Sequence, residues 1–271
     1  MHRYVHGYSE RETQRLREQS LIIENLLHSD TSYPTGSLIL EAGCGIGAQT
    51  VILARRSPRA RIISVDISLD SLRRAGAIID NQGMGVVSLQ QSDILTLPFR
   101  EGIFDHVFVC FVLEHLDRPV DALIELKRVL KKGGTITVIE GDHGSCFWYP
   151  ETAEARKVWQ CLIDVQKHLD HNPLIGRQLY PLLKQSGFDI GYVLPRWLYA
   201  DGSNPRLMND GVSKIMAPML ETAREQALNL GLIAEATWRK GIDDLRHTAE
   251  SPGGTFFYTW FKGVGIKPDT A

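Results

Sequence analysis

The sequence predicts an α/β fold built on a doubly wound, mostly parallel sheet. Three observations predict it: short apolar strands alternate with amphipathic helices, the connections are short, and three alternating glycines follow the first strand. Because each crossover between parallel strands must cover a face of the sheet, this alternation favours helices on both faces. The length of 271 residues, with 43% hydrophobic and 23% charged residues, suits one large core or a core with an appended cap.

The first elements establish this pattern. Residues 9–28 have apolar positions at helical spacing, and Ser9 with Glu12 forms a capping box, so a helix is predicted before the sheet. Residues 37–41 (SLILE) are typical of a buried strand. That strand leads into a glycine turn at 43–47, which is followed by an amphipathic helix. The order is strand, glycine turn, helix.

The same alternation continues to residue 140. Further strands are predicted at 60–65, 86–90, 104–111 and 135–140. One helix is predicted to begin near Ser68 and another at Pro119, since proline favours the first helical position. Gly133-Gly134 is expected to end the second of these helices. Residues 37–144 are therefore expected to form the core that binds a ligand.

The second half has a different composition. Fifteen of the 22 aromatic residues, including all five tryptophans, lie after residue 144. Helices are predicted at 151–170, 177–186, 205–231 and 235–247, and strands at 188–195 and 254–262. Pro218 is expected to break the third of these helices. Residues 145–271 are thus predicted to form a helical cap together with the last two strands of the sheet.

Charge and cysteine content limit the partners. Thirty Lys and Arg against 32 Asp and Glu give a net charge of −2, which argues against nucleic acid or an anionic membrane as partner. The four cysteines show no CxxC spacing, so no metal and no disulfide framework is expected. The start lacks the apolar run of a signal peptide, and no apolar stretch approaches 18 residues. We expect a cytoplasmic protein of undetermined oligomeric state.

The glycine turn indicates a ligand with an anionic group. Gly43, Gly45 and Gly47 let the backbone approach a ligand closely, and the following helix presents free amides and its positive dipole end. The pattern also satisfies the dinucleotide motif G-x-G-x-x-[GA], so both a pyrophosphate and a carboxylate remain open. A tight turn without a ligand is the structural alternative.

Three carboxylates lie at or just after the ends of the first three predicted strands. Glu41 suits an ammonium or sulfonium better than a pyrophosphate, since opposite charges attract in a partly dry cleft. Asp66 ends the second strand, where a carboxylate can accept both ribose hydroxyls. Asp93 could accept from an adenine amine, with Ile67 and Ile94 against the ring. Helix or turn capping is the alternative for Asp66 and Asp93, and a solvent-facing carboxylate is the alternative for Glu41.

These motifs, with FD at 104–105, VLEHL at 112–116 and LKKGG at 130–134, resemble class I S-adenosylmethionine-dependent methyltransferases. The likeness spans residues 37–142, and within the family the chain is similar to the broad small-molecule group that includes ubiquinone and menaquinone methylases. Lys132 stands where that family often has proline. The resemblance implies a Rossmann-like sheet of seven strands with the last antiparallel, S-adenosylmethionine as cofactor, and an N-terminal lid formed by residues 1–36. The cofactor-binding residues expected from it are Tyr8, Glu41, Gly43, Cys44, Gly45, Gln49, Asp66, Ile67, Asp93, Ile94, Cys110 and Phe111.

The implied reaction is in-line methyl transfer to a small, partly apolar acceptor. Alignment and exclusion of water supply most of the catalysis of such a displacement, so a base is optional. His115 and His143 follow the fourth and fifth strands and are the candidate catalytic residues. A structural role is the alternative for each, as ring packing is for Tyr8. Two other functions stay open: an NAD-dependent oxidoreductase, and a non-catalytic nucleoside-binding module.

Overall fold

The computed structural model describes residues 10–269, which divide into two compact units. The sheet unit comprises Glu24–Gly141, Ile175–Arg196 and the described residues from Trp260 onward. The helical unit comprises the described residues up to Ile23, with Asp142–Leu174 and Trp197–Thr259. The division into lid, core and cap expected from the sequence stays a prediction. Tyr8 and Ser9 lie outside the described residues.

The elements follow the predicted order closely. The helices are α1 (Glu10–His28), α2 (Ala48–Arg56), α3 (Leu69–Asn81), α4 (Pro119–Val129), α5 (Ala153–His168), α6 (Leu179–Gln185), α7 (Pro205–Asn209), α8 (Ala217–Asn229) and α9 (Glu235–Glu250). The strands are β1 (Leu38–Ala42), β2 (Arg61–Asp66), β3 (Val87–Gln91), β4 (Phe104–Cys110), β5 (Leu130–Gly141), β6 (Phe147–Tyr149), β7 (Asp189–Asp201) and β8 (Thr255–Ile266). Short 3-10 helices cover Leu113–His115, His143–Ser145 and Ile175–Gln178.

The sheet confirms the predicted fold class. Strands β3, β2, β1, β4 and β5 are neighbours in that order and run parallel, and β8 pairs antiparallel with β5. Strand β7 also pairs with β8. The described chain has eight strands, one more than the seven expected, because β6 pairs with Thr255–Phe257 of β8. A strand of three residues is too short to show a period in the sequence.

The core of the sheet unit explains why the strands read as continuous apolar runs. Leu40, Val107 and Val138 of three neighbouring strands are inaccessible to solvent, as are Leu123 and Leu126 of α4. Strands that are covered on both faces lose the alternation of exposed and buried positions.

One predicted boundary was wrong: Gly133-Gly134 does not end α4, which ends at Val129. These glycines lie in β5, which begins at Leu130 with an irregular register against β4.

The helical run predicted at 205–231 is interrupted next to Pro218, as expected. It consists of α7, a π-helix over Asp210–Met216 and α8, and Pro218 is the second residue of α8. Asn209 and Ala217, which flank the π-helix, have right-handed helical dihedrals, so the hydrogen-bond pattern changes here while the chain stays helical.

In the helical unit, α5 packs against both α8 and α9. Gly241 of α9 faces the backbone of α5, and a Cβ at this position would lie 2.5 Å from the carbonyl oxygen of Glu154. The two helices therefore approach more closely than a side chain at 241 would allow. Trp159 and Trp238 of α5 and α9 are fully buried in this unit.

Candidate functional site

The glycine turn after β1 has the backbone that the sequence predicts. Gly43, Gly45 and Gly47 have φ of +77°, +53° and +82°, the left-handed region that favours glycine. The amides of Gly43 and Cys44 donate to the carbonyl of Val65, which fixes the turn beside β2. Gly47 is the N-cap of α2, so the free amides of that helix follow the turn directly.

Asp66 is bonded to this turn. Its Oδ2 accepts the amide of Gly45 at 2.8 Å, and its Oδ1 accepts the amide of Ser68 at 2.8 Å. Burial raises the pKa of Asp66, and these two amide bonds oppose the shift. Each carboxylate oxygen has a further lone pair, so the group can still accept from two hydroxyls. The structure thus brings Asp66 and the glycine turn together.

Glu41 is more deeply buried than its position before the turn suggested. It pairs with Ser64 in the sheet register, and Ser64 Oγ donates to its Oε2 at 2.6 Å. Burial raises the pKa of Glu41 to about 7. Its neighbour in the turn, Cys44, is also buried, and burial raises the pKa of that thiol. Cys44 is therefore a protonated, unreactive thiol at neutral pH.

The loop after β3 is tied to the end of β2. The amide of Ser92 donates to the carbonyl of Asp66, and Gln91 Nε2 donates to the carbonyl of Ile67. Asp93 Oδ1 accepts the amide of Leu95 at 2.9 Å, the turn-capping bond that was the alternative for this residue. The side chain of Ile67 is 51% exposed, while that of Ile94 packs against the core of the sheet unit.

The turn after β4 lies against the glycine turn. Cys110 ends β4 and is buried, and Phe111 has a φ of +58°, which is rare for a bulky residue. A Cβ on Gly43 would lie 2.4 Å from Cγ2 of Val112, so the valine side chain packs directly on that glycine. Strained residues of this kind cluster at functional sites.

Glu140 in β5 is a site residue that the sequence analysis missed. Its Oε1 accepts the amides of Val112 and Leu113 at 2.9 and 2.7 Å, and the residue is fully buried. The available signal was a carboxylate at the end of an otherwise apolar strand, Thr135–Glu140. A buried carboxylate requires hydrogen-bond donors. Its donors are 27 and 28 positions away, however, so no local motif marks it.

The candidate histidines lie in different units. His115 follows β4 in the sheet unit, with Nε2 at 3.5 Å from Glu114 Oε1. His143 lies in the helical unit, where its Nδ1 is 2.7 Å from the hydroxyl of Tyr258 and its carbonyl accepts Trp159 Nε1. Burial lowers the pKa of His143 to about 4, so its ring is neutral at pH 7.

Gln49 of α2 is hydrogen-bonded to His28, a residue that the sequence analysis did not connect with the site. Its Oε1 lies 2.8 Å from Nε2 of His28, the last residue of α1. His28 is fully buried, and burial lowers its pKa to about 4.

Tyr8 lies outside the described residues. Within residues 10–269, no group of three or more His, Cys, Asp or Glu could hold a metal ion, and no helix combines the length and apolar composition that a membrane crossing needs.

Sequence comparisons place the chain among methyltransferases. A family model described as "Methyltransferase domain" matches residues 40–138. An uncharacterized methyltransferase of Schizosaccharomyces pombe is 35% identical over 243 residues, 82% of this chain and 81% of the relative. A demethylmenaquinone methyltransferase of Lactococcus lactis is 31% identical over 121 residues, 44% of this chain and 48% of the relative. The chain also spans 46% of an uncharacterized 37.1 kDa transposon protein of Streptomyces fradiae, so it covers about half the length of some curated relatives.

Solved structures share the fold. An N-methyltransferase of Haemonchus contortus, solved with phosphomonomethylethanolamine and S-adenosylhomocysteine, has a TM-score of 0.57 at 16% identity and covers 94% of this chain and 57% of its own. The [4+2]-cyclase SpnF has a TM-score of 0.54 at 19% identity, covering 93% of this chain and 80% of its own. At such identities the likeness shows the fold alone.

The family decides between the cofactors that the glycine turn left open. The Schizosaccharomyces pombe relative exceeds 30% identity across about four fifths of both chains. The alternative of an NAD-dependent oxidoreductase is therefore wrong. The chain belongs to the class I S-adenosylmethionine-dependent methyltransferases.

Proposed function

We propose that this chain transfers the methyl group of S-adenosylmethionine to a small, partly apolar acceptor, with Asp66 binding the ribose of the cofactor. The observation that carries the assignment of Asp66 is its pair of bonds to the Gly45 and Ser68 amides, at the carboxyl edge of the sheet. These bonds orient the carboxylate while leaving it lone pairs for two hydroxyls. The same position in dinucleotide-binding sheets holds a ribose.

The turn has room for a ligand on one side. A Cβ built on Gly45 would meet no atom within 4 Å, in contrast to Gly43, which is covered by Val112. The open side suits the backbone approach of the methionine part, which Cys44 and the amides at the start of α2 would border. We assign the methionine amino group to the backbone at Cys110 and Phe111. Glu41 and Gln49 would support this side of the site from beneath the turn.

The adenine would lie beside the loop after β3. Ile67 is exposed at the end of β2 and offers an apolar surface for one face of the ring. Ile94 would contact the ring from the neighbouring loop. Asp93 already accepts the Leu95 amide through Oδ1, which orients its carboxylate toward a fixed direction. Its remaining acceptor capacity would serve the exocyclic amine.

The chemistry requires alignment more than a catalytic group. When bound, S-adenosylmethionine supplies a methyl carbon that is activated by an adjacent sulfonium. The residues of the chain orient the acceptor and exclude water, and a base removes a proton only where the acceptor must lose one. His115 is our first candidate for that base, because it lies in the same unit as the proposed cofactor residues. His143 is the second candidate, and it would be a weak base, because burial lowers its pKa to about 4.

The relatives and the net charge support the proposed acceptor class. The Lactococcus lactis relative is named for demethylmenaquinone, a molecule with a large apolar part, which supports a partly apolar acceptor. A net charge of −2 gives little attraction for nucleic acid. We keep the cytoplasm as the proposed location, supported by four cysteines that are all free and buried.

Cofactor binding can be tested by calorimetry with S-adenosylhomocysteine. Asp66→Ala should weaken affinity about tenfold or more, because charge-assisted hydrogen bonds to the ribose are lost. The matched control is Asp70→Ala, which removes an exposed carboxylate of α3 that pairs with Arg73. Equal affinities for both variants would show that the ribose is held by other residues.

Turnover can be tested with an acceptor panel and mass spectrometry of the products. A gain of one methyl group in product, with S-adenosylhomocysteine released, supports the proposal. His115→Asn and His143→Asn should each be compared with the wild-type chain. The variant that lacks the catalytic base should lose activity only toward acceptors that must be deprotonated. Tight cofactor binding without methylation of any acceptor would favour the nucleoside-binding module instead. That outcome is worth measuring because the [4+2]-cyclase SpnF shares this fold.

A further inference from the structure

Glu140 is a buried carboxyl group whose hydrogen bonds all go to one turn. It lies in β5, and its Oε1 accepts the amides of Val112 and Leu113. Its Oε2 is also buried, and the backbone amide of Glu114, in the same turn, acts on this carboxyl as well. An ionisable group without a full set of partners is expensive to bury. The hydrogen bonds from the amides of Val112 and Leu113 are therefore the interactions that account for a carboxyl group at this buried position.

The turn that Glu140 holds has a shape that the chain does not favour on its own. Phe111 adopts a left-handed φ of +58°, and its amide donates to the carbonyl of Ile139 in β5. The next two amides, those of Val112 and Leu113, point at Glu140. Strand β5 thus fixes three consecutive amides of the turn, one through its backbone and two through a side chain. Strained backbone persists only where the surroundings over-determine it.

The turn at residues 111–113 contacts the glycine turn. The two methyl groups of Val112 cover Gly43, so closely that even a Cβ on Gly43 would overlap with them. A shift of the Val112 backbone would therefore move the floor beneath Gly43 or leave a gap there. The chain of contacts runs from the Glu140 carboxyl to the Val112 amide, and from the Val112 side chain to Gly43. All of these residues belong to the sheet unit.

We propose that Glu140 is a positioning residue for the cofactor, acting by holding residues 111–113 against the glycine turn. This inference rests on the proposed cofactor site at Gly43–Gly47. Burial and the nearby Glu114 raise the pKa of Glu140 well above its usual range. A protonated carboxyl would accept both amides through its carbonyl oxygen, which a glutamine could also supply. A leucine of similar size could not.

The test compares two Glu140 variants with a matched control. Glu140→Leu should raise the Kd for S-adenosylhomocysteine about tenfold or more, since two buried amides lose their acceptor. Glu140→Gln should stay within about threefold of the wild-type Kd. The control is Asp105→Ala, which removes a carboxylate that accepts the Leu38 amide at the opposite, amino end of β1. It should cost stability but leave the Kd within about twofold.

Each outcome is decisive. A folded Glu140→Leu variant with wild-type affinity overturns the inference, as would an equal loss of affinity in Asp105→Ala. If Glu140→Leu does not fold, Val112→Ala decides, because it removes the contact with Gly43 and leaves Glu140 in place. Wild-type affinity in that variant overturns the inference, and weakened affinity supports it. Failure of the wild-type chain to bind S-adenosylhomocysteine would instead contradict the proposed cofactor site itself.

Discussion

The sheet unit and the helical unit treat buried polar groups differently. In the sheet unit, Asp66 and Glu140 accept backbone amides, and Lys262 is bonded to three oxygen atoms. In the described part of the helical unit, both amide atoms of Gln166 and the indole nitrogens of Trp148 and Trp238 are buried without a hydrogen-bond partner. Unpaired buried side-chain atoms also occur in the sheet unit, so the two units differ in what their bonded groups do: the carboxylates of the sheet unit fix loops, while the bonds of His143 in the helical unit join buried aromatic side chains. Changes in the two units should have different signatures.

The largest loss of stability is expected when the buried Lys262 of the sheet unit loses its ionic partner. Lys262 Nζ lies 2.6 Å from Asp30 Oδ1 and 2.7 Å from Thr31 Oγ1, and the lysine side chain is 1% exposed. Asp30→Ala should lower the free energy of unfolding by about 3 kcal/mol or more, because a buried charge loses its partner. Lys262→Met should be milder, and urea denaturation of both variants tests this order. A smaller loss for Asp30→Ala would mean that Thr31 and solvent stabilise the ammonium sufficiently.

Matched glycine substitutions sharpen the comparison. Gly43→Ala should lower stability by about 2 to 3 kcal/mol, through its positive φ and its overlap with Val112. Gly241→Ala should cost a similar amount through its overlap with Glu154 of α5. Only Gly43→Ala should also weaken binding of S-adenosylhomocysteine, as measured by calorimetry. Gly85→Ala, where a Cβ meets no atom within 4 Å, is the neutral control.

Glu41 predicts a stability difference that depends on pH. Its pKa is raised to about 7 in the folded chain, from 4.5 when exposed, so the folded state keeps a proton that the unfolded state loses. Its contribution to stability is therefore present at pH 4.5 and below, and decreases as the pH rises toward 7. Glu41→Gln should match the wild type near pH 5 and exceed it by about 2 kcal/mol at pH 8.

Comparison with the variant at each pH cancels the other titrating groups. His28 and His143, whose pKa values are lowered to about 4, act in the opposite direction and lose stability as the pH falls below 6.5. Both are present in the wild type and in Glu41→Gln. Thermal melts from pH 5 to pH 8 would therefore isolate Glu41. A constant difference between the two proteins over this range would show that Glu41 titrates normally.

The smallest expected effect lies in the helical unit. Tyr258→Phe removes the hydroxyl that lies 2.7 Å from His143 Nδ1 and should lower stability by about 1 kcal/mol. Affinity for S-adenosylhomocysteine should not change, because this bond is internal to the helical unit. Tyr149→Phe, at a 66% exposed position, serves as the control for loss of a hydroxyl. A clear loss of cofactor affinity in Tyr258→Phe alone would break the distinction between the units.

Although β6 and the π-helix could not be predicted from the sequence, the parallel sheet, most of its strands and helices, and the glycine turn could. These features are local: apolar runs of five or six residues, glycines at alternate positions, and Asp66 at the end of a strand. They are readable because backbone geometry and hydrophobic periodicity act over short distances. The same local signals point to both Asp66 and Gly45, which are joined by a hydrogen bond in the structure.

The pairing of buried polar groups became visible only in the folded chain. Lys262 and Asp30 are 232 positions apart, and Gln49 meets His28 across 21 positions. Glu140 and the turn at 111–113 are joined because parallel strands β4 and β5 end side by side. No short pattern marks such pairs, since each partner is chosen by the packing of distant elements. The predicted residues of the cofactor site came from local motifs, and the groups that hold them in place came from the fold.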